Sequence, residues 1–480
     1  MRSFQAKRSC LLFFGAILLI TGLRPTSVHA QKDSADIPTV STTYAIEGAR
    51  IVQAPGRVID SGTIVFRDGV IESVGRRATV PYDAIIIDGS GMTVYAGFID
   101  AFSRVGVATP ERTSMPPVAD TSNPTYERAG ITPEKQVRTL LNPSDKSVDA
   151  HRKLGFTTVH TVPHGNMLPG SGAVALLHGK NADAMIIRND VSMAFQFMGS
   201  RGVYPGTPMG IMAKFRQLHK ESSRRLHLEQ MYASDPAGMS RPPADIVHTA
   251  FFPVIADEKP VFAHTTNALE VYRALTLKTE LGLTMVLTGL SEGFDTIDKI
   301  KTSGNPVALT MGLPDKPKWA AEIKSDSLNQ ILSSYTDETR TATFRDVEAE
   351  KRNLEAKQLV TRQKYVEMPK MYAKAGIPFA FTSYGVDSKD ISVNLKSFVE
   401  GGLSSDAALA ALTINAANLL GLSASMGSLD TGKMANVIVT TGALFEDDTT
   451  IKYVFVDGHK FEYDTKTKKD DAPSSRRRGQ

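Results

Sequence analysis

The sequence predicts an α/β protein, with repeated β/α units in the middle of the chain and a small β-domain at its ends. Short apolar runs such as residues 260–263, 284–287 and 306–309 are typical of buried parallel strands. Helical stretches separate them, and Gly282 and Gly304 stand just before strands, where helix C-caps belong. This alternation indicates an α/β barrel or a doubly wound sheet. No nucleotide-binding glycine fingerprint follows the first strand, which disfavours the doubly wound sheet.

Both chain ends are rich in short strands. Near the start, two apolar runs at residues 62–66 and 70–75 flank an Asp68-Gly69 turn, a pair that supplies the positive φ angles of a tight hairpin. Near the end, Asp457-Gly458 is a second hairpin turn of the same kind. We expect one β-sandwich domain built from both ends; the alternative is two unrelated β segments.

The first 30 residues are expected to be a signal peptide and not part of the fold. A basic start precedes an apolar stretch at residues 11–20. This stretch is much shorter than the roughly 20 residues that span a bilayer. Residues 28–30 offer a cleavage site of the small-x-small type. The sequence therefore predicts export across the inner membrane to the periplasm, with a polar, flexible segment at residues 31–43. The alternatives are a membrane anchor and an N-terminal core helix.

The mature chain has neither a thiol nor a net charge to suggest its chemistry. The only cysteine, Cys10, lies in the predicted signal peptide, so a disulfide framework, a thiol nucleophile and a Cys-ligated zinc site are excluded. The whole chain has 55 basic and 51 acidic residues, and the signal peptide holds four of the basic ones and no acid. Formal neutrality gives no reason to expect nucleic-acid binding.

Two charged stretches have simple interpretations. Residues 337–368 predict a solvated amphipathic helix that Pro369 ends or kinks. A subunit-contact arm is the alternative. The tail at residues 464–480 is expected to be disordered, and the alternative is a basic patch for a membrane or a nucleic acid.

Several segments of the chain together resemble the amidohydrolase superfamily, in particular a secreted branch of its imidazolonepropionase-like group. The similarity runs from about Ala45 to about Tyr463. The resemblance implies a (β/α)8 TIM-like barrel over residues 97–425, and a β-sandwich built from residues 44–96 and 426–463. The segments that carry it are residues 89–100, 192–195, 204–210, 401–421 and 426–436.

The resemblance also implies a chemistry, metal-dependent hydrolysis of C–N bonds in peptide-like or other substrates. One or two divalent ions, zinc or another metal, sit at the C-terminal mouth of such a barrel and activate water. The ligands of the family are a His-x-His pair on strand 1, a carboxylated lysine or a glutamate on strand 4, a histidine on each of strands 5 and 6, and an aspartate on strand 8.

This chain departs from that ligand pattern at most positions. Only His264, on strand 5, is retained, and one imidazole does not hold zinc where catalytic sites use three protein ligands. A phenyl ring cannot bind a metal, and a guanidinium repels one. We therefore expect a degenerate member with no confident catalytic residue and no metal cofactor. The replaced ligand positions hold Phe102 and Arg104 (strand 1), Ser192 (strand 4), Gly289 (strand 6) and Tyr384, or else Ser383 (strand 8).

The sequence leaves three functions open. The first is a non-catalytic partner or binding subunit, paired with a second amidohydrolase or with copies of itself. The second is an active hydrolase whose metal has moved to His160, His164 and His264, unless Pro163 breaks the strand and places His164 in a loop. The third is a periplasmic module that binds a small molecule, such as a carboxylate, through Arg104, Tyr384 and His264. No membrane span is expected in the mature chain.

Overall fold

The computed structural model describes residues 42–110, 118–315 and 342–463. The predicted signal peptide, nearly all of the predicted flexible segment and the tail at residues 464–480 lie outside these ranges. Within them, no helix has the length and apolar character needed to cross a membrane.

Strands β1 to β16 follow one another along the chain with helices between them. The strands are β1 (Thr43–Ala54), β2 (Arg57–Arg67), β3 (Val70–Gly75), β4 (Ile85–Asp88), β5 (Thr93–Ala96), β6 (Phe98–Ser103), β7 (Phe156–Thr161), β8 (Gly170–Leu176), β9 (Ile186–Gln196), β10 (Val261–His264), β11 (Met285–Leu290), β12 (Val307–Thr310), β13 (Phe379–Thr382), β14 (Val437–Thr440), β15 (Ile451–Val456) and β16 (His459–Glu462).

The helices fall mostly in the second half of the described chain, and a short 3-10 helix covers Val137–Thr139. The helices are α1 (Tyr126–Ala129), α2 (Lys146–Lys153), α3 (Ala182–Met185), α4 (Pro208–Ser234), α5 (Ile246–Ile255), α6 (Ala268–Leu281), α7 (Ile297–Ser303), α8 (Ala342–Lys374), α9 (Ser388–Glu400), α10 (Ser405–Leu412) and α11 (Ile414–Leu419).

The predicted β-domain from both chain ends is confirmed. Eight strands form one hydrogen-bonded sheet in the order β16-β15-β14-β5-β1-β2-β3, and β4 pairs with the first half of β1. The two ends meet where β5 pairs with β14, with Val94 opposite Val439. The predicted hairpin turns are also present, since Asp68 and Asp457 have φ angles of 49° and 51°. The sheet has a hydrophobic core of its own that includes Ile64.

The predicted barrel is confirmed as well. Strands β6 to β13 are hydrogen-bonded in chain order, and β13 returns to lie against β6, so the sheet is nearly closed. The side chains of β6, β7, β11 and β13 are all buried, as expected for strands covered on both faces. The positive φ angles of Gly282 and Gly304 confirm them as helix C-caps.

The barrel differs from a uniform parallel β/α repeat at one strand. Strand β8 runs antiparallel to both β7 and β9. Residues 162–169 connect β7 to β8 without a helix. A parallel crossover needs a dozen or more residues, so this short link can only return the chain in the opposite direction.

Of the two effects predicted for Pro369, the ending of the charged helix is wrong, whereas a kink stays a prediction. Helix α8 continues through Pro369 and ends at Lys374. The prediction for residues 337–341 lies outside the described residues.

We expect Gly97→Ala to destabilise the junction between the sheet and the barrel. Gly97 lies between β5 and β6, and a Cβ there would come within 3.0 Å of the Thr157 side chain on β7. Overpacking of this kind costs about 1–3 kcal/mol. The measurement is the urea midpoint of unfolding. Gly75→Ala is the control, because a Cβ at Gly75 would have no neighbour within 4 Å.

The second variant for this test is Gly97→Ala combined with Thr157→Ala. Removing the threonine side chain should recover part of the lost stability. If Gly97→Ala leaves the urea midpoint unchanged, Gly97 and the Thr157 side chain are not in close contact.

Candidate functional site

The ring of Phe102 fills the centre of the barrel. It extends from the end of β6 and is 1% exposed. It stacks on Tyr384 with a centroid distance of 4.9 Å and on Phe262 at 6.1 Å, and it meets His160 edge to face at 5.7 Å. The first of the two strand-1 ligand positions is therefore occupied by an apolar ring packed on three sides.

Arg104 packs on Tyr384, the same ring on which Phe102 stacks. Its Cζ atom is 4.1 Å from the centre of the Tyr384 ring, and its Nη2 donates a hydrogen bond to Tyr384 Oη. Tyr384 Oη donates in turn to Gln196 Oε1, 3.1 Å away. Burial lowers the pKa of Arg104 and raises that of Tyr384. Arginine nevertheless stays protonated in proteins, so the second strand-1 position carries a positive charge.

Ser192 is a hydrogen-bond partner of His160. His160 Nδ1 lies 2.9 Å from the carbonyl oxygen of Ala101 and must donate to it, so Nε2 accepts from Ser192 Oγ at 2.8 Å. Burial lowers the pKa of His160 to about 4, which keeps the ring neutral. Both polar groups are satisfied by each other and by the backbone, without a metal ligand role.

Gln196 is a site residue that the sequence analysis missed. It lies on β9 opposite His264 of β10, four residues after Ser192. Its Nε2 donates to the carbonyl oxygens of Gly165 and Asn166, both at 2.5 Å. The amide side chain thus links the loop after β7 to Tyr384. The alternation of β9 could have suggested it, since residues 192 and 196 face the same side.

The His264 ring lies against Gly289, the residue at the strand-6 ligand position, and occupies the space that a side chain there would need. Gly289 has a φ of +74°, and a Cβ there would come closer than 3.0 Å to the His264 ring. His264 Nδ1 is buried and has no hydrogen-bond partner. Burial, with a contribution from the charge of Arg104, lowers the pKa of His264 to about 4. The retained histidine therefore lies beside a glycine and near a cation.

The structure does not assemble the relocated metal site. His160 points into the barrel, whereas His164 follows the end of β7 in a loop, where its Nε2 donates to the carbonyl oxygen of Val107 at 3.2 Å. Among the residues described, no group of three or more His, Cys, Asp or Glu side chains could hold a metal ion. The donor set of this barrel does not fit the metal that the resemblance implies.

Ser383 belongs to a second polar cluster, which it forms with His151 and Asp100. Its Oγ lies 3.1 Å from His151 Nε2, and its backbone N–H donates to Asp100 Oδ1 at 3.1 Å. Burial raises the pKa of Asp100 to about 7 and lowers that of His151 to about 4. Of the two candidates for the strand-8 aspartate, Tyr384 therefore faces Arg104, whereas Ser383 faces His151.

Comparison with known proteins agrees with this architecture. Residues 260–460 match the family model described as the amidohydrolase family. The fold matches an amidohydrolase from Thermotoga maritima MSB8 with a TM-score of 0.67 and 19% identity, over 88% of this chain and all of that one. A putative prolidase from Bifidobacterium longum also matches, with a TM-score of 0.43 and 17% identity over 88% of this chain and 94% of that one. No curated protein matches the sequence.

The fold is a barrel of the amidohydrolase type with an accessory β-sheet domain, as predicted. The predicted resemblance to the amidohydrolase superfamily is confirmed by the family-model match over residues 260–460.

We expect the protein to lose stability as the pH falls from 6.5 toward 4, with His160 as one cause. Its pKa of about 4 in the fold lies below the ordinary 6.5, so the unfolded chain takes up the proton first. The contribution is fully present above pH 6.5 and is lost by pH 4, about 3 kcal/mol for such a shift. Thermal unfolding as a function of pH measures it.

His160→Gln should flatten that pH profile. The control is His227→Gln, whose imidazole is exposed on α4 and contacts water in both states. Equal acid sensitivity in the two variants would mean that His160 is not a buried neutral group.

Proposed function

We propose that this chain is an exported amidohydrolase-fold protein that does not catalyse metal-dependent hydrolysis and acts in the cell envelope as a binding or partner subunit. One observation carries the proposal. At the two strand-1 ligand positions, a buried phenyl ring and a guanidinium cation pack against Tyr384, 4.9 Å and 4.1 Å from its ring centre. A divalent ion at this place would meet a positive charge and an apolar surface.

The neighbouring positions support the same conclusion. A metal needs deprotonated or neutral donors that point at one centre. Ser192 is hydrogen-bonded to His160. His264 lies against Gly289, which has no side chain to bind a metal. Restoring a metal site would require several simultaneous substitutions, because no two of the expected ligands remain together.

A hydrolase with a relocated metal is the less favoured alternative. It requires His164 to join His160 and His264. His164 follows the end of β7, the strand that carries His160, and its Nε2 donates a hydrogen bond to the carbonyl oxygen of Val107.

Metal content together with hydrolysis tests the proposal. Protein expressed with added zinc, manganese and iron is purified without chelator. The metal content per chain is measured by mass spectrometry, and hydrolysis is assayed with dipeptides and N-acyl amino acids as substrates. We expect far less than one ion per chain and no turnover above buffer. Near-stoichiometric metal whose removal by a chelator abolishes turnover would overturn the proposal.

We also expect Ser192→Lys to fail to recruit a metal. The lysine would place an unpaired cation against His160 in a fully buried position, which costs several kcal/mol. The melting temperature should therefore fall well below that of Ser192→Ala, the control that removes only the hydrogen bond to His160. A metal-bound Ser192→Lys protein with unchanged stability would contradict this view of the site.

Export and partnership are tested in the native host. Cell fractionation should place the mature chain in the periplasm, and affinity purification from that fraction should recover a second amidohydrolase subunit or copies of this chain. Recovery of the uncleaved chain in the cytoplasm would contradict the envelope location.

A further inference from the structure

The guanidinium of Arg104 is a half-buried cation without an anionic partner among the residues that the structure describes. Its hydrogen bond to Tyr384 Oη is its only one among the described residues, and its Nε is buried with no hydrogen-bond partner. No carboxylate of the described chain lies within ion-pair distance of it. A partly desolvated charge without a partner is costly to a fold. Within the described part of the chain, no group compensates this charge.

A cavity opens beside this cation at the mouth of the barrel. Its volume is about 480 Å³, and its lining is largely polar. Small-molecule sites in proteins are typically about 300–1,000 Å³. Arg104 lines the cavity together with His151, His164 and Ser383. The cavity is thus large enough for a small ligand and has hydrogen-bonding groups close to the charge.

The two histidines of the cavity are uncharged near neutral pH. Burial lowers the pKa of His151 to about 4, and burial together with the charge of Arg104 lowers the pKa of His164. Neither imidazole competes with the guanidinium for an anion. Their N–H groups are already donated to the carbonyl oxygens of Ser147 and Val107, so Arg104 remains the charged donor that an anion in the cavity can reach.

Two acids also line the cavity, and they limit the charge of the ligand. Asp145 Oδ1 accepts from the backbone N–H and the hydroxyl of Ser147, at 2.9 and 2.6 Å, at the start of α2. Asp387 pairs with Lys389 at 3.3 Å before α9. Because Asp145 and Asp387 share the cavity with Arg104, a second negative charge on the ligand would be repelled by these carboxylates. A singly charged anion therefore suits the cavity better than a phosphate with two charges.

We propose that this cavity binds a small monocarboxylate whose carboxylate group pairs with the Arg104 guanidinium. The planar fork of arginine matches a carboxylate in two parallel hydrogen bonds. The inference rests on the proposed binding role of the protein and names its ligand class and site. The site lies beside the aromatic filling of the barrel and does not require the centre to open.

Ligand-observed NMR and calorimetry on the mature full-length protein test the proposal with defined probes. Propionate is the simple carboxylate, alanine is the zwitterion, propionamide is the uncharged control and inorganic phosphate is the multiply charged one. We expect propionate or alanine to bind and propionamide to show no binding. If both carboxylates fail to bind up to about 50 mM, weaker than any useful affinity, or if propionamide or phosphate binds better than both, the proposal is overturned.

Variants of the cation assign the site. Arg104→Gln should weaken carboxylate binding at least tenfold, because it removes a charge-assisted pair. Arg104→Lys, which keeps the charge without the fork, should lose less. Arg138→Gln is the control, because Arg138 is exposed and pairs with Asp183 outside the cavity. Equal affinities for Arg104→Gln and Arg138→Gln would refute the assignment, and Arg104→Lys decides the matter if Arg104→Gln does not fold.

The outcomes separate this inference from the proposed function. Suppose that the protein binds a carboxylate, that Arg104→Gln abolishes this binding, and that the protein also holds metal and hydrolyses amides. This result would overturn only the proposed function. If the protein holds no metal, shows no hydrolysis and binds neither carboxylate, only the site proposed here is overturned.

Discussion

Phe102 and Arg104 both pack against the ring of Tyr384, and the rest of the barrel interior is arranged around this contact. Phe102 lies 4.9 Å from the centre of the Tyr384 ring, and the Arg104 guanidinium lies 4.1 Å from it. Aromatic and cation–π contacts of this kind stabilise the interior and remove the open space that a hydrated ion would need. The polar groups nearby then pair with each other: His160 with Ser192, and Tyr384 with Gln196.

A barrel filled in this way can keep its fold while its mouth serves the binding role proposed above. The core of a (β/α)8 barrel is packed in layers, and the loops at the C-terminal mouth carry function. Here the Phe102 ring occupies the centre, whereas the cavity beside it is lined by Arg104, which has no carboxylate partner among the described residues. The proposed loss of hydrolysis and the proposed binding site are therefore compatible in one molecule.

The sequence predicted the sheet directions and the site only in part. Alternation predicted that Phe102 and Arg104 face the same way, and both side chains contact Tyr384, although Arg104 follows the end of β6. It did not predict that β8 runs antiparallel, because an apolar run carries no information about direction, and the length of the link after β7 decides it. Nor could it show that Gln196 reaches Tyr384, since that contact joins residues 188 positions apart.

The most direct test of the central claim is an anomalous difference map from crystals of the mature protein soaked in zinc, collected at the zinc absorption edge. We expect no peak within bonding distance of His264 Nδ1, because Arg104 places a positive charge near it and no group of three metal-binding side chains is present among the described residues. A strong peak coordinated by His264 and neighbouring side chains would contradict this expectation, because the barrel would then hold the metal that the side chains at its ligand positions are proposed to exclude.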